Sequence, residues 1–64
     1  MTVQENARFT VYRLVNEYDP KNGDLWDIAR AIKNAFKLGA ISEPEVEMLG
    51  YNCSRLTMDE ILTA

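Results

Sequence analysis

Apolar residues recur at steps of three and four near the start of the chain, at Val3, Ala7, Val11, Leu14 and Tyr18, which lays one stripe along about four helical turns. Thr2 followed three residues later by Glu5 has the form of a capping box and sets the helix start. The rival is a strand over Phe9 to Val15, because Phe, Thr, Val and Tyr all suit pleated structure. Asp19-Pro20-Lys21-Asn22-Gly23 closes the element. A residue before proline is pushed out of the helical region, and Asn-Gly readily takes a left-handed turn.

The second element is patterned more clearly. Leu25, Ile28, Ala29, Ile32 and Phe36 share one face, Asp24 and Asp27 sit at the positive end of the helix dipole, and Lys33 and Lys37 at the negative end. Gly39 predicts its stop. Ser42-Glu43-Pro44-Glu45 is a further capping box, with proline in the first turn where its missing N–H costs nothing. That predicts a short helix through Leu49, ended by Gly50. Thr57-Met58-Asp59-Glu60 repeats the device ahead of Ile61 and Leu62, an apolar pair to dock on the core. The pattern therefore predicts an all-α fold, a single helical domain over residues 1–64 built as a small bundle of three helices plus a short C-terminal one.

Composition narrows the chemistry. A chain of 64 residues buries only about 60% of its unfolded surface. One cysteine, Cys53, and no histidine leave neither a disulfide nor a zinc site to compensate. A nucleophile paired with histidine is excluded outright. Glu43, Glu45 and Glu47 are spaced as surface and dipole partners rather than as a carboxylate pair in a cleft, and the three glycines are scattered as punctuation rather than gathered into a phosphate loop. No enzyme activity, cofactor or metal is expected. The lone thiol, the lack of a signal-type start and the lack of about 18 consecutive apolar residues predict a cytoplasmic protein with no membrane contact.

Charge changes the picture by its distribution. The net value is −3, but residues 21–40 hold four bases against two acids, while residues 41–64 hold five acids against one base. The second helix, its turn and the third could be laid out as a helix-turn-helix, yet the recognition helix would carry Glu43, Glu45 and Glu47 and be repelled by phosphates. Nucleic acid is thus not the expected partner. Arg30, Lys33 and Lys37, at steps of three and four, remain as a candidate anion-binding stripe and as the basis of the alternative reading, a small nucleic-acid-associated factor.

Aromatic residues outside the stripes are the strongest pointer to function. Phe9 and Tyr12 fall roughly 200° and 140° round the wheel from Ala7, and Trp26 about 100° from Leu25. Phe9, Tyr12 and Trp26 are therefore candidate interface residues, with Trp26 alternatively a cap on the core. The expected function is a small accessory or regulatory protein acting through protein–protein contact. It is expected to self-associate as a homodimer, with Arg30, Lys33 and Lys37 of one copy meeting Glu43 and Glu47, or Asp59 and Glu60, of the other. Lys37-Leu38-Gly39-Ala40-Ile41-Ser42-Glu43-Pro44-Glu45 resembles the joint of short helical-hairpin modules in bacterial and phage proteins. Small acidic helical chains of this style suggest a phage or mobile-element accessory protein.

Overall fold

In the computed structural model, which describes residues 2–64, four helices follow in order: α1 (Val3–Asn16), α2 (Leu25–Lys37), α3 (Glu43–Asn52) and α4 (Met58–Leu62). No strand occurs among the described residues, so the segment Phe9 to Val15 is helical. Three of the four starts are set by the side-chain oxygen of the capping residue. The Thr2 hydroxyl accepts from the Glu5 N–H, Asp24 accepts from the N–H groups of Trp26 and Asp27, and Thr57 exchanges bonds with Glu60 in a full capping box.

Glycines behave in three different ways. Gly39 follows α2 at φ +76, with its N–H donated to Phe36 and that of Ala40 to Ala35, the paired bonds of a Schellman stop. Gly23 does not adopt the expected left-handed turn. Asp19 organises that loop instead, accepting from the Lys21 N–H and the Asn22 amide, and a Cβ at position 23 would stand 2.7 Å from the Asp19 carbonyl oxygen. Gly50 does not end α3 either: the helix runs on to Asn52, and Gly50 is buried where the Leu56 carbonyl comes down on it. The chain turns back after α3 through Ser54 and Arg55, at φ 60 and 57, and the Leu56 N–H bonds the Gly50 carbonyl at 2.8 Å.

The core lies around α2, which packs against all three other helices. Ile28, Ala29, Ile32 and Ala35 supply its inner face, met by Val11 from α1, Val46 and Leu49 from α3, and Ile61 from α4. Ile41, Cys53 and Leu56 plug the joints. Each large aliphatic side chain taken from water this way contributes about 1.5–3 kcal/mol. The expected stripe of α1 is only partly inward, since Val3 is exposed and Tyr18 lies beyond the helix. Of the Ile61 and Leu62 pair, only Ile61 is buried. α1 runs antiparallel to α2, with Val3 near Leu38 and Leu14 near Ile28. It runs parallel to α3, with Arg8 and Tyr12 beside Glu45 and Asn16 near Asn52.

Candidate interaction surface

α1 and α3 are joined at one end by a polar node. One carboxylate oxygen of Glu45 accepts from the Ser42 N–H and hydroxyl at the start of α3. The other accepts from the Tyr12 hydroxyl at 2.7 Å and the Arg8 guanidinium at 2.5 Å. Arg8 also lies over the Tyr12 ring, 4.9 Å from its centroid. These donors, Tyr12 first, then the Ser42 N–H and Arg8, hold the Glu45 carboxyl down at about 2. Their hydrogen bonds to Glu45, with its negative charge behind them, in turn push the Tyr12 phenol and the Arg8 guanidinium up.

Beyond the node α1 and α3 border an open groove of about 610 Å³. Phe9, Tyr12, Val15, Met48 and Leu49 give it an apolar lining, with Arg13, Asn16 and Asn52 polar at its edges. Phe9 stands 61% exposed on one side and Met48 48% exposed on the other. Tyr51, 64% exposed, continues the patch along α3, three residues on from Met48 and therefore on the same face. A smaller hollow of about 340 Å³ on the outer side of α1 is lined by Glu5, Arg8, Phe9 and Tyr12, so Phe9 stands as a ridge between two depressions.

The three aromatic candidates do not share one environment. Phe9 belongs to the groove. Tyr12 is part-buried beneath it, its hydroxyl already bonded to Glu45. Trp26, 57% exposed, projects from α2 rather than capping the core. At 100° per residue it falls within about 40° of Arg30, Lys33 and Lys37, so one aromatic residue and three cations form a stripe on α2. Part of that stripe is engaged within the chain: Arg30 pairs with Asp27 at 3.4 Å, and the Lys33 ammonium donates to the Ala64 carbonyl. Among the described residues no three His, Cys, Asp or Glu side chains gather closely enough to hold a metal ion. Cys53 is fully buried, and burial pushes its thiol up.

Met48 and Tyr51 escaped sequence reasoning, which took α3 for a short acidic helix. The signal was there: Pro44, Met48 and Tyr51 recur at steps of four and three, opposite the buried Val46, Leu49 and Cys53. The chain matches no family model, no curated protein and no solved structure.

Proposed function

We propose that this chain is a small non-enzymatic accessory or regulatory protein that works by protein–protein contact through its α1–α3 face. The observation that carries this is that Phe9 and Met48 stand exposed on the two sides of a groove, with Tyr51 exposed beyond Met48 on α3, while the core closes without them. Large apolar side chains grouped at the surface of a small protein favour being covered, and Phe, Tyr and Met are residue types that anchor interfaces. Size, acidity and helical build suit a cytoplasmic accessory protein of a phage or mobile element. Affinity capture from extract of the source cell tests the reading: a protein held by the wild type is expected to be lost from a Phe9→Ala, Met48→Ala variant. Equal capture by the two would contradict it.

A second reading, a nucleic-acid-associated factor, is favoured by Trp26 sharing a stripe with Arg30, Lys33 and Lys37, since single strands bind where bases stack on an aromatic and phosphates meet cations. Against it stand the net charge of −3 and the pairing of Arg30 with Asp27. Trp26 is the sole tryptophan, so its fluorescence reports directly. Quenching by a single-stranded oligonucleotide at low salt, removed by Lys33→Glu with Lys37→Glu, would establish this reading; no quenching rejects it.

A further inference from the structure

We infer that the occupant of the α1–α3 face is a second copy of this chain, seated about a two-fold axis that runs along the groove. This rests on the reading of that face as a contact surface. An isologous interface requires one patch to be complementary to itself. This patch is so in shape and in charge: Phe9 is a ridge beside a hollow, Arg13 borders it on α1, and Glu47 stands on the outer side of α3 next to Met48. Among the described residues neither Arg13 nor Glu47 has an ion-pair partner in its own chain.

The parallel run of α1 and α3 settles which groups meet. Rotation about an axis along the groove lays α1 of each copy over α3 of the other without reversing direction. Glu45 is bonded by both Arg8 and Tyr12 and so lies level with the turn between them, which brings Arg13 to within about 2 Å of the level of Glu47 of the second copy, in reach of an arginine side chain. Phe9 comes about 6 Å short of Met48, about one helical turn, a gap that the two long side chains span. Two such ion pairs and two such apolar contacts form at once. A standard interface takes roughly 800 Å² from each partner. That is under a fifth of the 4349 Å² surface of this chain. Helices of 14 and 10 residues present a face of at most about 21 Å by about 20 Å, about 400 Å², which falls short of the standard figure and implies a weak, concentration-dependent dimer. The basic stripe of α2 offers less, because Arg30 and Lys33 already have partners in cis.

Sedimentation equilibrium from about 10 μM to about 1 mM reads the association directly, a range chosen for the weak end of interface strength. The expected result is a mass rising from one chain towards two. Arg13→Glu and Glu47→Arg should each weaken dimerisation about tenfold, since each change acts twice and sets like charges together, and the double swap should restore it. Both residues are exposed, so circular dichroism should show every variant folded. A one-chain mass throughout, with capture of a cell protein still dependent on Phe9 and Met48, overturns the second copy and leaves the contact surface standing. A dimer indifferent to both charge swaps and to Phe9→Ser places self-association elsewhere and overturns the inference; if capture is then also unchanged, the contact surface falls with it.

Discussion

Glu45 and Gly50 show how much one residue settles in a chain this short. The Glu45 carboxyl, held at about 2 against an ordinary 4.5, favours folding through its ionised form. The stability it adds is therefore fully present above about pH 4.5 and is lost as pH falls towards 2. Glu45→Gln, and more mildly Tyr12→Phe, should flatten the fall of the unfolding midpoint across that window; an unchanged slope would show that the node adds nothing. Gly50 sets two effects against each other. Alanine in a helix interior ordinarily gains about 1 kcal/mol over glycine. Here the added Cβ would stand 2.6 Å from the Leu56 carbonyl oxygen and 2.7 Å from Ile61 Cδ1, and the backbone atom cannot swing aside. Gly50→Ala is expected to destabilise by about 1–3 kcal/mol, read by urea titration. Cys53, fully buried with its thiol pushed up, should react with a thiol reagent at least about tenfold more slowly in the native protein than in the unfolded chain.

At the scale of elements, α4 has five residues and cannot form alone. It persists because Thr57 and Glu60 satisfy its first donors and Ile61 is driven into the core. Thr57→Ala should cost about 1 kcal/mol, a fall of about 4–8 °C in melting temperature for a domain of this size. Helix starts were legible in the sequence because a cap is a local device: Thr2, Asp24, Ser42 and Thr57 each need only the next three residues. The Gly39 stop was legible for the same reason. Gly50 was misread as such a stop because its role depends on Leu56 and Ile61, which reach it only through a chain reversal at Ser54 and Arg55 that has no glycine to announce it. Gly23 was misread likewise: Asp19 and Tyr18 crowd it, and no dipeptide rule contains them.

For the whole molecule, the fold class followed from periodicity, whereas the surface followed only from packing. Helical spacing marked Phe9 and Trp26 as lying off their seams, but it could not say that α3 rather than α2 would flank Phe9, nor that the two aromatics would stand on different faces. Nor could it bring Arg8, Tyr12 and Glu45 together, since pairs more than 30 residues apart meet only once the helices are arranged. The central claim is that Phe9, Met48 and Tyr51 are surplus to folding and kept for contact. Urea unfolding of a Phe9→Ser, Met48→Ser, Tyr51→Ser variant at about 1 μM, dilute enough for single chains, tests it most directly. Three exposed substitutions should leave stability within about 1.5 kcal/mol of wild type. A loss above about 3 kcal/mol would place these side chains in the core and contradict the account.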